Sequence, residues 1–357
     1  MLIPAALPDF RNSQSKMPHG ISHPLSRGIT ANNPLPYCLG TVATRGLMKC
    51  QCLTFHPLYK ERVWGGRVLE THFGRQLPGE NPIGESWELV DREDAQSVVR
   101  ESEFGGASLH DLWVNQRREL FGEDYDFPRF PILVKILDAS DVLSVQVHPA
   151  PHRLIHEREE PKSEIWYFVT TTEGAGVYAG LKRGVKRTDF EVALSTGRIA
   201  ELLHHVPTMP DSCIAIPSGR LHAIAAGNAI FEIQQNSDTT YRVFDWNRLG
   251  LDGLPRKIHI EESLRHIDFE DFEPELNRCE TEKLVDWPHF NVDRWALNSS
   301  RRANETRKFS VFQVARGNVS FGDRIFNQGD LFLVPASSHQ GQVAPIGEPA
   351  IVLRTTL

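Results

Sequence analysis

The sequence predicts a mainly β protein: a closed barrel or jelly roll carrying helical insertions, followed by a second, smaller β-domain. Three observations predict it. Short runs in which apolar and polar residues alternate recur between Gly, Pro and Asp from 51 to about 100 and from 129 to 178. Two inserts break that period with apolar residues three and four apart. After an acidic, turn-rich stretch around 261 to 285 the alternation resumes to the end of the chain. Short strands at such intervals suit a closed architecture, because closure removes exposed sheet edges.

Residues 1 to 47 carry several prolines with scattered Ser, Asn and Gly and keep neither strand nor helix period, so they are expected to be a disordered extension. A transit peptide is the functional alternative, and Met48 is a candidate true start. Removing residues 1 to 47 is expected to leave folding and activity unchanged. From 48 to 265 the strands "SWELVD", "PILVKIL", "VLSVQVH" and "EIWYFV" define the first β-domain. "SLHDLWVNQRRELFG" at 108 to 122 and "DFEVALSTGRIAELLHHV" at 189 to 206 are its predicted helices. From 266 to 357, "FSVFQVARGNVSF", "DLFLVPAS" and "PAIVLRTTL" supply the strands of the smaller domain.

Composition limits the partners. The chain has 357 residues, 40% hydrophobic and 24% charged, with a net charge of −7. That length suits about two domains with a sizeable core. A net negative chain argues against a nucleic-acid surface but leaves room for a local basic pocket that captures a small anion. No apolar run is long enough to span a membrane, and the first thirty residues lack a secretory core, so cytoplasmic residence is expected. Cys38, Cys50, Cys52, Cys213 and Cys279 are an odd, scattered set and are expected to be free thiols.

The strand "VLSVQVHP" at 142 to 149 carries the first chemical signal. Its alternation puts Leu143, Val145 and Val147 on one face and Ser144, Gln146 and His148 on the other. In "KSEIWYFV", Lys162, Glu164, Trp166 and Phe168 share a face, and in "IPSGRLHAI" a turn at Pro217 and Gly219 delivers His222 to a returning strand. Gln146, His148, Glu164 and His222 are therefore N and O donors from three strands, a set that suits Zn²⁺ or a similar divalent ion with a position open for substrate. A single strand histidine is more often structural; the joint pattern favours the metal.

These motifs resemble the two metal-binding motifs of cupins. Taken together, "LSVQVHP", "KSEIWYF", "YAGLKRGV", "SGRLHAI" and "NSDTTYRVFDW" resemble the short form of type I mannose-6-phosphate isomerase, from about Leu53 to Trp246. The resemblance implies a cupin-type jelly-roll barrel with a degenerate, cupin-like C-terminal domain. It implies one zinc per chain on Gln146, His148, Glu164 and His222, and Arg242 as the active-site arginine. It places Lys162 and Ser144 in the substrate cleft and Glu232 in register with a cleft glutamate. The implied reaction interconverts mannose 6-phosphate and fructose 6-phosphate through an enediol; a monomer or weak homo-oligomer is expected.

The residue types fit such a reaction. Moving a proton between C1 and C2 needs a base and stabilisation of negative charge on two adjacent oxygens. Glu232, Lys162 or a metal-bound water could carry the proton. Arg242 suits phosphate binding or enediolate stabilisation, with a structural ion pair to Asp245 or Asp238 as the alternative. Lys182, Arg183, Lys186 and Arg187 read as a solvated face, and Trp64 and Trp87 as core. In the C-terminal domain a cupin-like turn is expected around Pro335 and His339, and because no second set of metal donors accompanies it, that domain is expected to be metal-free. Two other functions remain open at this point: an iron oxygenase, which metal analysis would separate, and a sugar-phosphate sensor that has lost the chemistry.

Overall fold

Alternation decides which face of each strand is buried, and in this chain it decides the layering as well. The structure is a computed structural model, and it describes residues 52–357 apart from 123, 124, 305 and 339. The expectations for residues 1 to 47, Cys38, Cys50 and His339 lie outside the described residues.

The described chain starts with β1 (Leu58–Gly66), the helical turn α1 (Val68–Thr71), β2 (Ile83–Leu89), and a hairpin of β3 (Asp91–Arg92) and β4 (Ala95–Gln96). Helix α2 (Leu109–Asn115) precedes β5 (Ile132–Ala139), β6 (Val145–Val147), β7 (Glu164–Thr171) and β8 (Gly176–Leu181). Helix α3 (Arg187–Thr196) leads to β9 (Leu203–Pro207), β10 (Ser212–Ile216), β11 (His222–Ile224), β12 (Asn228–Gln235) and β13 (Tyr241–Phe244). Apart from the β3–β4 hairpin, these strands form two antiparallel sheets, in the orders β1-β2-β5-β12-β7-β10 and β13-β6-β11-β8-β9.

Side chains from both sheets meet between them. Leu137, Trp166, Phe168 and Ile230 of the larger sheet pack with Val177, Ala179, Val206 and Ile224 of the smaller. On the same inward face, towards the other end of the larger sheet, the apolar residues give way to Lys135, Glu164 and Glu232, all buried. The polar end is where the site forms.

After α4 (Ile260–His266) the chain builds a second pair of sheets from β14 (Lys283–Trp287), β15 (Phe290–Leu297), β16 (Arg301–Arg302), β17 (Ser310–Arg316) and β18 (Val319–Phe321). Strands β19 (Arg324–Phe326), β20 (Leu331–Val334), β21 (Gln342–Pro345) and β22 (Ala350–Thr356) complete it. Their orders are β14-β15-β22-β17-β20 and β16-β21-β18-β19. The opposite faces of the two larger sheets share one core: Val134, Ile136, Phe231 and Ile233 pack in the same cluster as Val292, Val311, Leu333 and Leu353. Helix α2 joins that core through Leu109, Leu112 and Trp113, and its start is capped by the Ser108 hydroxyl, which accepts from the Asp111 N–H at 3.0 Å. The molecule is mainly β, as the sequence predicts.

Both predicted helices are shorter than their apolar spacing implied. The first is α2, followed by a π-helical turn at Arg117–Phe121. The second is a correction: α3 ends at Gly197, whose φ of +69° turns the chain out of the helix. A 3₁₀ turn follows at Ile199–Glu201, and the stretch "LHHVP" is strand β9. Its Leu203 and Val206 satisfy a helical spacing, but edge pairing with β8 buries both on a sheet. Trp64 and Trp87 are buried, as expected. In the basic stretch 182–187, Arg183 pairs with Glu273 and Arg187 with Glu191 at exposed positions.

Candidate metal centre and adjoining cleft

Each candidate metal donor stands on or beside a short strand or at a strand's first residue. Val145 and Val147 anchor β6 in an apolar cluster, leaving Gln146 on its other face and His148 just past its end. Pro149 halts the strand there. Glu164 is the first residue of β7, and His222 is the first of β11. The turn before His222 depends on Gly219 at φ +94°, where an added Cβ would stand 3.2 Å from the His266 carbonyl oxygen. Backbone register places His222 opposite Gln146.

The three ionisable donors converge. One ligand atom from each of His148, Glu164 and His222 lies within 4.8 Å of the others. His148 Nε2 is 3.5 Å and His222 Nε2 is 3.7 Å from Glu164 Oε1. The other nitrogen of each ring is occupied: His148 Nδ1 bonds the Thr239 carbonyl at 3.0 Å and His222 Nδ1 the Arg220 carbonyl at 2.8 Å. A carbonyl only accepts, so both Nδ1 atoms carry the proton and both Nε2 lone pairs face the carboxylate.

Burial explains the charge states. It lowers the pKa of both imidazoles to about 4, against the pull of Glu164, so both rings are neutral near pH 7. Burial alone would raise the Glu164 carboxyl, but the Lys162 ammonium outweighs it and holds it well below the usual range. Three electron-rich atoms thus face one another with no proton between them, and His148 Nε2 and Glu164 Oε1 have no hydrogen-bond partner among the described residues. A divalent cation resolves that repulsion, and two imidazoles with a carboxylate fit zinc. Gln146 lies beside them with its amide nitrogen 3.3 Å from His222 Nε2. Exchanging amide nitrogen and oxygen, which are near-equivalent in shape, turns a fourth donor oxygen to the same place.

Next to the donors opens a cleft of about 600 Å³, lined by Ser144, Gln146, Lys162, Glu232 and Arg242 among others. Lys162 Nζ is 2.9 Å from Glu164 Oε2 and 3.9 Å from Glu232 Oε1. Burial works against its charge, yet these two carboxylates outweigh it and hold the ammonium above the usual lysine range. Glu232 is fixed at both oxygens: Lys135 Nζ donates to Oε1 at 2.8 Å and Trp166 Nε1 to Oε2 at 3.0 Å. The Ser144 hydroxyl reaches Gln146 Oε1 at 3.4 Å.

Arg242, on β13, is the register partner of Gln146. Among the described residues it makes no ion pair; its Nη1 donates to the Lys257 carbonyl at 2.8 Å. Asp245 takes Arg256 and Arg248 instead, with Arg256 Nε at 2.6 Å. Burial, and then the neighbouring Arg256, push the Arg242 pKa down, outweighing the opposite pull of Asp245.

The structure brings all the sequence-predicted site residues into this one region. It adds Lys135 and His259, which sequence reasoning passed over. The lone lysine in the apolar strand "ILVKIL", on the inward face, was a signal for the first.

Comparison with known proteins gives one consistent result. Residues 52–174 match the family described as phosphomannose isomerase type I, catalytic domain. A mannose-6-phosphate isomerase of Bacillus subtilis (strain 168) is 34% identical over 302 residues, covering 81% of this chain and 94% of that protein. A mannose-6-phosphate isomerase of Streptococcus mutans serotype c is 35% identical over 286 residues, 77% of this chain and 89% of that protein. Among solved structures, a mannose 6-phosphate isomerase from Bacillus subtilis superposes with a TM-score of 0.77 at 26% identity, covering 86% of this chain and 100% of that one.

Proposed function

The chain belongs to the type I phosphomannose isomerase family, a family of sugar-phosphate isomerases, and on that premise we propose how it works. It interconverts mannose 6-phosphate and fructose 6-phosphate through an enediol, with one zinc ion held by Gln146, His148, Glu164 and His222. The observation that carries the zinc assignment is the meeting of two Nε2 lone pairs and Glu164 Oε1 beside a cleft in which Arg242 has no carboxylate partner among the described residues.

Held by these residues, the ion would supply Lewis-acid charge that eases build-up of negative charge on the C1 and C2 oxygens. The protein's own groups do the rest. Glu232 carries the proton between C1 and C2, because its carboxylate is held in place by Lys135 and Trp166 while lone pairs remain free. Lys162 is held protonated by two carboxylates, so it serves as a fixed positive charge facing the reacting end and not as the base. Arg242 offers a planar fork of donors to the enediolate or the phosphate, and Ser144 a hydroxyl to the sugar.

A coupled assay of the zinc-loaded protein across hexose 6-phosphates in deuterated water tests this reading. Turnover of mannose 6-phosphate with deuterium entering the product at C1 or C2 is expected. Absence of turnover, or turnover of glucose 6-phosphate in preference, would overturn it.

A further inference from the structure

A row of side chains crosses the smaller sheet of the first pair at one level. His222 on β11 pairs with Gln146 on β6, and Gln146 pairs with Arg242 on β13. The chain then returns: the His259 N–H donates to the Arg242 carbonyl at 2.8 Å, which adds a fourth member to the row. The Arg242 N–H donates back to His259 Nδ1 at 3.1 Å.

That second bond fixes the histidine's tautomer. An Nδ1 that accepts from an amide carries the lone pair, so the ring proton sits on Nε2. Burial, then the Lys257 ammonium, push the ring's pKa below the ordinary histidine value, which keeps it neutral near pH 7. Nε2 makes no hydrogen bond among the described residues, and His259 lines the cleft. It is a directed, uncharged donor beside Arg242. A further cation there would be repelled by Arg242 and Arg256; a neutral N–H is not.

Strands lie about 5 Å apart, so His259 stands roughly 10 Å from Gln146 across Arg242. A six-carbon sugar phosphate whose C1 and C2 meet the metal donors is long enough for its other end to reach along that row. We propose that His259 Nε2–H donates to the phosphate of the bound hexose 6-phosphate, making His259 a substrate-binding residue. This rests on the isomerase reading above.

The rival role is positional, with the ring only holding the Arg242 backbone through Nδ1. Two amides separate the roles. In His259→Asn the side-chain oxygen falls near the Nδ1 position and keeps accepting from Arg242, but nothing reaches the Nε2 position. In His259→Gln the amide nitrogen reaches the Nε2 position and Nδ1 is vacated. Both variants are to be compared with the wild type as full-length, zinc-loaded protein turning over mannose 6-phosphate. For the Asn variant KM is expected to rise at least ~10-fold with kcat nearly unchanged, as for a bond made equally in ground and transition states. The Gln variant is expected to stay within about threefold of wild type in both constants. Any other ranking, whether Gln the worse, both impaired alike or both normal, overturns the contact to phosphate. Failure of the wild type to turn over mannose 6-phosphate is a different result: it overturns the isomerase reading, and this inference with it.

Discussion

At the scale of the residue, the cations that line the cleft are matched to carboxylates, with one exception among the described residues. Lys135 faces Glu232, Lys162 faces Glu164, and Arg62 faces Glu85, whereas Arg242 is held by a carbonyl. Arg242→Ala is therefore expected to lower kcat/KM by at least ~100-fold, the scale for losing one preorganised charge-stabilising donor. Zinc content should stay normal, and Arg242→Lys should rescue little because an ammonium lacks the two-pronged geometry. Metal-normalised kinetics check this; near-normal turnover by folded, zinc-loaded Ala variant would remove Arg242 from the site. Much of this was legible in the sequence. Gln146, His148, Glu164 and His222 announce themselves because period-two alternation states which side chains share a face. Lys135 did not, since one lysine in an apolar strand reads equally well as a chain that snorkels to water. His259 did not because its place beside Arg242 is set by how the loop returns, and no spacing rule reports that.

At the scale of the element, the segment between β6 and β7 shows how a site is held by non-repetitive chain. Glu159 is buried there. Its Oε2 accepts from the Ile155 N–H at 2.7 Å and the His156 N–H at 3.2 Å, and its Oε1 from the Tyr241 hydroxyl at 2.7 Å. Burial would raise this carboxyl, but those hydrogen bonds outweigh it and bring the pKa down to about 2. The folded value lies below the unfolded one of about 4.3. The bonds therefore stabilise the fold fully above about pH 4.3 and lose that effect as pH falls towards 2. Glu159→Gln is expected to be less stable than wild type at pH 6 and to lose less on acidification through that window. Urea unfolding at pH 6, 4 and 3 measures both; parallel curves would show that Glu159 does not carry the acid sensitivity. Strand and helix faces were readable from period alone, but the end of α3 was not. "AELLHHV" fits both periods, and the outcome was decided by an unpaired edge of β8 that only the assembled sheet presents.

At the scale of the whole molecule, the donors tie together two sheets. Glu164 belongs to the larger sheet of the first pair, while His222 and the strand bearing Gln146 belong to the smaller. A cation bound between them favours only the folded arrangement, so chelation is expected to lower the melting temperature by several degrees, and zinc to restore it together with activity. A thermal scan of chelated and reloaded protein tests this, with an unchanged melting temperature counting against the assignment. The shared core between the two sheet pairs was the least legible feature of the fold. Each strand's alternation says that its outward face is apolar, as with Ile165 and Ile233 on one sheet and Val292 and Leu353 on another. It does not say that those faces cover each other.

The row of His222, Gln146, Arg242 and His259 is set by backbone pairing, and pairing shifts only in whole-residue steps. Side-chain adjustment can fine-tune the interval between its two ends but cannot replace it. If one end holds the reacting carbons and the other the phosphate, the sheet acts as a gauge of sugar length. A pentose 5-phosphate, one carbon short, could engage either end but not both at once, and would forfeit the orientation that simultaneous contact provides. Its kcat/KM is expected to fall at least ~10-fold below that of the hexose 6-phosphate. Equal values for the two sugars, measured side by side, would show that length is not what this sheet measures.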